Sequence, residues 1–299
     1  MISRYYAPFY TLFLHLLKMM ATSNPRDPST CANYESVTVE HYDLDWTVDL
    51  EKKQFKAKID LRLAALEDAD HVSFDVRDLV IDSISFNGQP AKYTVTENGD
   101  LGQQLRVEAE LKQGHKPVIS VAYSTCPKGA KAIQILTPEQ TADKKAPFLF
   151  SQCQAILARS LMPCMDTPSV KSTYTGRVRV PAGLTVLMSA VRNGEKQVGE
   201  WTETEFVQSV PIASYLLAIV VGRLEKRKIS DRCDVWAEPS IVDSALHEFE
   251  ETEKFLETAE KIAGKYVWGR YDLMVLPPTF PFGGNILSFL HFITVYSFI

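Results

Sequence analysis

His247-Glu248 is where the sequence comes nearest to a metal site. On a helix this pair could open the H-E-x-x-H pattern, which needs a second imidazole one turn on so that both rings face one zinc ion. Glu251 stands at that second position, and His15, His41, His71, His115 and His291 are singly placed. No metal site is read, and the pair is taken as a solvated helix face. No G-x-S-x-G elbow occurs, and Gly283-Gly284 lacks the further glycine or the Lys-Ser/Thr of a phosphate cradle. No catalytic residue is assigned. Three other stretches could do chemistry. Gln152-Cys153-Gln154-Ala155 sets a carboxamide on either side of a cysteine after an apolar run. A carboxamide both donates and accepts, which suits a peptide backbone or an amine; the same pattern also fits polar outward positions on a strand edge. Ala158 to Lys171, dense in proline and charge, reads as a structured loop. Leu276 to Gly284 reads as a strand end entering a Pro/Gly-rich turn, the usual place for a functional loop.

The elements that must hold these residues are mostly strands. Phe55, Ala57, Ile59, Leu61 and Leu63 alternate with Lys56, Lys58, Asp60 and Arg62, the pattern of a strand with one buried face. Similar runs cover Val37 to Leu50, Val72 to Phe86, Leu105 to Leu111, Val118 to Tyr123, Arg177 to Val180 and Tyr215 to Val221, with Asn87-Gly88 and Asn98-Gly99 as hairpin turns. Short strands at this spacing predict a large antiparallel β domain. Near residue 225 the character changes. Cys233 to Ala237 reads as a strand, and Ser240 with Asp243 has capping-box spacing at the start of a helix. Val242, Leu246, Phe249, Phe255, Leu256, Ala259 and Ile262 follow helical period, Glu250/Lys254 and Glu257/Lys261 stand at i,i+4, and Gly264 is placed to end the helix. Tyr271 to Leu276 is a further strand, and Asn285 to Ile299 is a hydrophobic tail without charge, read as aberrant. This second unit is too short for a core of its own. Poor solubility is expected, with improvement on deleting residues after Leu224.

Composition narrows the function classes. The chain has 299 residues, 45% hydrophobic and 23% charged, enough for one large domain or two smaller ones. Its net charge of -5 and the lack of a basic run exclude nucleic acid as the expected partner. The five cysteines, Cys31, Cys126, Cys153, Cys164 and Cys233, are odd in number and form no C-x-x-C pair, so they read as reduced, cytoplasmic thiols. Tyr5 to Leu17 is uncharged and mostly apolar between Arg4 and Lys18, with Ala21-Thr22-Ser23 behind it. That run is too short to span a bilayer. Residues 1–23 read either as a signal-like leader, which would route the chain to the secretory pathway, or as an extension upstream of Met19 and Met20.

Taken together, Gln152-Cys153-Gln154-Ala155, Pro163-Cys164 with Asp166-Thr167-Pro168-Ser169-Val170-Lys171, Tyr266-Val267-Trp268-Gly269 with Tyr271-Asp272-Leu273, and Leu276-Pro277-Pro278 with Phe280-Pro281-Phe282-Gly283-Gly284 resemble one family. It is the gluzincin zinc aminopeptidases, in the branch of leukotriene A-4 hydrolase and aminopeptidase B, and the resemblance runs from about Asn33 to Gly284. It implies a mainly β chain: a saddle-like N-terminal β domain over residues 24–224, then the truncated start of an α+β thermolysin-like catalytic domain over 225–284, then the tail at 285–299. It further implies that Gln152 and Gln154 help hold substrate and that Pro281, Phe282, Gly283 and Gly284 pair with a peptide backbone as an added strand. A peptide or peptide-like ligand is the expected partner.

The match then breaks. The family continues Gly-Gly with Met-Glu-Asn, whose glutamate captures the substrate's free amine, whereas Asn285-Ile286-Leu287 follow here. Its zinc helix, third zinc glutamate and catalytic tyrosine also have no counterpart in this sequence. Gly-Asn can be encoded GGT-AAT, which contains an intron-like GTAAT, so the tail reads as translated intron. The expectation is an inactive N-terminal fragment or short isoform with no cofactor of its own, although the complete family enzyme holds zinc. A non-catalytic β-rich interaction module that modulates the full-length enzyme is the alternative. The sequence leaves the oligomeric state open.

Overall fold

Alternation becomes strand wherever one face can be buried, and β1 (Val37–Asp49) with β2 (Gln54–Ala65) shows how. A computed structural model describes residues 26–126, 128, 130–277, 284–286 and 290–294, the last two groups in backbone alone. The two strands pair antiparallel from Val37 opposite Ala65 to Asp49 opposite Gln54. A bulge between Val39 and His41 shifts the alternation by one residue, so Val37 and Val39 share the buried face with Tyr42, Leu44, Trp46 and Val48. The run read over Val72 to Phe86 is two strands, β3 (Ala69–Val76) and β4 (Val80–Phe86), separated where Asp78 takes φ 54°. β4 turns into β5 (Gln89–Pro90) through Asn87 and Gly88, both left-handed at φ 49° and 80°, the geometry a tight hairpin requires.

β6 (Tyr93–Glu97), β7 (Gln103–Leu111) and β8 (Val118–Ser124) follow, then β9 (Ile133–Leu136), β10 (Phe148–Ser151) and β11 (Lys171–Pro181). β12 (Thr185–Met188), β13 (Val191–Val198), β14 (Trp201–Ala213) and β15 (Ile219–Gly222) complete the N-terminal part. Only the end of the Tyr215 to Val221 run is strand, because Ser214–Leu216 forms a 3-10 turn. The strands make an 8-stranded sheet in the order β13-β14-β11-β1-β2-β8-β4-β5, a 3-stranded sheet β3-β7-β6 and a 4-stranded sheet β12-β15-β10-β9. The expected antiparallel pairing holds throughout the largest sheet except between β1 and β11, which run parallel from His41 opposite Thr173 to Thr47 opposite Arg179.

A further sheet, in the order β16-β17-β18-β20-β19, is built from β16 (Glu225–Lys228), β17 (Asp234–Ala237), β18 (Asp272–Leu276), β19 (Gly284–Ile286) and β20 (Leu290–Thr294). Two helices, α1 (Val242–Phe249) and α2 (Thr252–Ala263), replace the single helix expected from Ser240. The capping box does not form: the Ser240 N–H donates to Asp143 Oδ1 at 2.9 Å, and Asp243 pairs with Arg227 at 2.6 Å. Gly264 does end α2, at φ 91°. The apolar face stays largely open, with Phe255 69% and Ile262 83% exposed.

One seam joins this sheet to the N-terminal ones. Leu136, Phe148, Phe150, Leu187, Ala218, Val220 and Leu224 meet Trp236, Met274 and Leu276 in a buried apolar cluster. β10 is therefore covered on both faces, Phe148 and Phe150 toward the seam and Leu149 toward the main core. β18 is covered likewise, with Leu273 and Val275 turned toward Val242 and Ala245 of α1. Gly222 is required here, since a Cβ would fall 2.8 Å from Phe148. Each large apolar side chain so buried stabilises by about 2 kcal/mol.

Candidate functional site

Gln152 follows β10 directly and is not part of the strand, so its half-buried position comes from the chain leaving the sheet and not from strand alternation. Its N–H donates to Ala132 O at 2.7 Å, and its side-chain Oε1 accepts the Gln154 N–H at 3.2 Å. The first glutamine thus fixes the backbone of the second and leaves the exposed Gln154 carboxamide turned to solvent. Cys153 between them is buried, and burial pushes its thiol well above the ordinary value, so it holds no thiolate near neutrality.

The stretch from Ala158 to Lys171 explains why this turn is rigid. Leu157 N–H donates to Cys153 O at 2.8 Å, and Ser160 Oγ accepts the Ala132 N–H at 3.0 Å, so the glutamine turn rests on the 3-10 turn Ala158–Ser160. In that turn Arg159 is wholly buried. Its Nε lies 3.0 Å from Asp166 Oδ2, and its Nη1 lies 3.6 Å from Asp75 Oδ1. The remaining guanidinium donors reach Leu101 O at 2.6 Å and Ser29 O at 2.8 Å. Asp75 also accepts from Thr30 Oγ1, from the Cys31 N–H at 2.7 Å and from the Asp166 N–H at 2.9 Å, while Ser214 Oγ donates to Asp166 Oδ1 at 2.7 Å. Burial holds the Asp166 carboxyl above its ordinary value, outweighing the hydrogen bonds from Ser214 and Arg159 and the Arg159 charge.

Of the other sequence-derived candidates, Gly284 opens β19 and pairs with Ile293 of β20, in the C-terminal sheet and not with the glutamines. Pro281, Phe282 and Gly283 lie outside the described residues. β10 and β18, the strands from which the two candidate stretches leave, are both buried against the same seam.

Residues 38–216 match the family described as the peptidase M1 N-terminal domain. The chain belongs to that family. As an M1 N-terminal domain protein it is 42% identical over 277 residues to leukotriene A-4 hydrolase of Xenopus laevis, covering 90% of this chain and 45% of that protein. It is 39% identical over 266 residues to leucine aminopeptidase 2 of Yarrowia lipolytica, covering 87% of this chain and 40% of the relative. The M1 chain thus spans less than half the length of the curated relatives it matches. Among solved structures, native yeast LTA4 hydrolase superposes with a TM-score of 0.85 at 33% identity, over 93% of this chain and 44% of that one. An M1 zinc metallopeptidase from Deinococcus radiodurans shares the fold, with a TM-score of 0.72 at 20% identity over 87% of this chain and 60% of the other. The mainly β architecture read from the sequence is that of this family.

His247 is the histidine that the sequence set nearest to a zinc pattern. His247 on α1 is 86% exposed, its nearest ionic neighbour is Glu250 at 4.0 Å, and the residue one turn on is Glu251. Among the described residues no group of three or more His, Cys, Asp or Glu could hold a metal ion. No helix among the described residues is long and apolar enough to cross a membrane.

What sequence reasoning missed is the Arg159–Asp75–Asp166 cluster. The one available signal was Asp75 inside β3, where Val72 to Val76 are all buried and an aspartate can persist only against a cation.

Proposed function

We propose that this chain supplies the N-terminal, peptide-contacting part of a leukotriene A-4 hydrolase-like zinc aminopeptidase, an enzyme class that removes N-terminal residues from peptides. In this reading residues 24–224 form the β domain, 225–284 begin the catalytic domain, and Gln152 and Gln154 are the peptide-holding groups. The observation that carries it is the turn after β10, where the Gln152 side chain holds the Gln154 backbone and leaves an exposed carboxamide on a buried, ion-paired base. Such a group can donate to a peptide carbonyl and accept from a peptide N–H without first paying to be ordered. The 299 residues by themselves bind peptide weakly and cleave nothing, because His247 has no second imidazole one turn on and Asn285-Ile286-Leu287 replace the amine-capturing segment. All five cysteines are free, which suits a cytoplasmic protein.

Titration of the isotope-labelled chain with tri-alanine, read at the glutamine side-chain amide resonances, tests this. Shifts confined to Gln152, Gln154 and their neighbours, lost in Q154A, are expected. Resonances that do not move, or binding that Q154A leaves unaltered, would remove the basis of the reading.

A second reading, a β-rich module that docks on another protein, has support in the exposed Phe255 and Ile262 of α2. Sedimentation of the chain with and without F255S and I262S separates the two, since self-association or complex formation abolished by those changes belongs to the second.

A further inference from the structure

We propose that Glu238 and Asp143 form a latch that locks the C-terminal sheet and α1 onto the N-terminal sheets in one register. Glu238 follows β17, is only 3% exposed, and spends both oxygens on a segment far away in sequence. Its Oε2 accepts the Ala142 N–H at 2.8 Å, and its Oε1 accepts the Asp143 N–H at 3.2 Å. Asp143 reciprocates. Its side chain is 4% exposed, its Oδ1 accepts the Ser240 N–H at 2.9 Å, and its Oδ2 accepts Arg223 Nη1 at 3.0 Å. Each carboxylate thus holds the backbone that carries the other.

The strap that presents Ala142 and Asp143 is held by its own hydrogen bonds. It opens with the 3-10 turn Pro138–Gln140, where Gln140 Oε1 accepts the Thr137 N–H at 2.9 Å, and Thr141 Oγ1 both donates to Pro138 O at 2.8 Å and accepts the Lys144 N–H at 3.1 Å. The latch also borders the seam along the chain. The strap joins Leu136 to Phe148, Arg223 lies beside Leu224, and Glu238 comes two residues after Trp236, all of them seam positions.

This placement supplies what the seam lacks. Apolar contact is non-directional, so the seam alone favours closure without choosing an alignment of β10 over β18. Directed hydrogen bonds to the two carboxyl groups choose one, because each forms only within a narrow range of distance and angle. The latch therefore fixes how the strand leading to Gln152 sits against the strand leading toward Gly284. The latch is independent of whether Gln152 or Gln154 binds peptide.

Amide hydrogen exchange on the full chain tests it, comparing the parent with E238A, E238Q and D143N. In E238A the amides of Ala142 and Asp143 and of residues 234–246 should exchange about tenfold or more faster, the loss expected when charged acceptors are removed, while β1 and β2 amides keep their protection. E238Q retains one acceptor oxygen and should fall between. If E238A does not fold, D143N decides, with the same local loss expected at Ser240 and across residues 234–246. Unchanged protection of these segments in the variants that fold, or loss spread evenly over β1 and β2 as well, overturns the latch.

Discussion

Arg159 Nε and Asp166 Oδ2 stand 3.0 Å apart with both side chains wholly buried, and this pair ties the glutamine turn to the floor of the fold. Because Asp75 shares the same guanidinium at 3.6 Å, removing the cation strands two carboxylates together. R159M is expected to lower stability by about 3–5 kcal/mol, the usual cost of orphaning a buried charge, as measured by urea unfolding. R159K should recover little, since one compact ammonium cannot span Asp166, Leu101 O and Ser29 O, which three separate guanidinium nitrogens reach. A loss under about 1 kcal/mol for R159M would mean that the two carboxylates are not left uncompensated.

Gln154 is exposed, so Q154A should leave stability within about 0.5 kcal/mol of the parent. Its affinity for tri-alanine should fall about tenfold, the worth of roughly one lost hydrogen bond to a well-placed partner. Calorimetry of unfolding and of binding separates the two effects; a stability loss that matches the affinity loss would mark Gln154 as structural.

Burial pushes the Asp143 carboxyl up, but the hydrogen bonds from Ser240 and the Arg223 charge bring it net below the ordinary value of 3.8. A carboxyl depressed in the folded state stabilises above its unfolded value, and that contribution fades as pH falls through the folded one. The stability gap between the parent and D143N should therefore be constant above about pH 5 and close as pH drops below about 4. A gap that widens in acid, followed by chemical unfolding at each pH, would reverse the sign of the argument.

The strands were legible in the sequence because alternation is local, and β1, β2, β7 and β8 fall where Val37, Phe55, Leu105 and Val118 begin their runs. Pairing is not local. Nothing near His41 or Thr173 marks them as parallel partners, so the β1–β11 contact could be found only in three dimensions. The same holds for Ser240, whose spacing to Asp243 suggested a cap but whose N–H is taken by Asp143. Gln152 and Gln154 were proposed from a family motif, whereas the Arg159 base beneath them needed the fold to bring Asp75 into reach.

The seam alters one expectation from the sequence, that deleting residues after Leu224 improves solubility. Truncation there strips Trp236, Met274 and Leu276 from Leu136, Phe148, Phe150 and Val220, and each uncovered large side chain forfeits about 2 kcal/mol. The truncated chain is expected to bind a hydrophobic dye more strongly and scatter more light than the parent. Less scattering would show that the seam contributes less than the exposed residues of α2.

A peptide-contacting part without hydrolytic machinery of its own is what the proposed function leads one to expect. Elemental analysis of the purified 299-residue chain for zinc, run beside cleavage of alanyl and arginyl fluorophores with and without a chelator, tests it most directly. Neither zinc at stoichiometric level nor turnover is expected; stoichiometric zinc with chelator-sensitive turnover would contradict the claim outright.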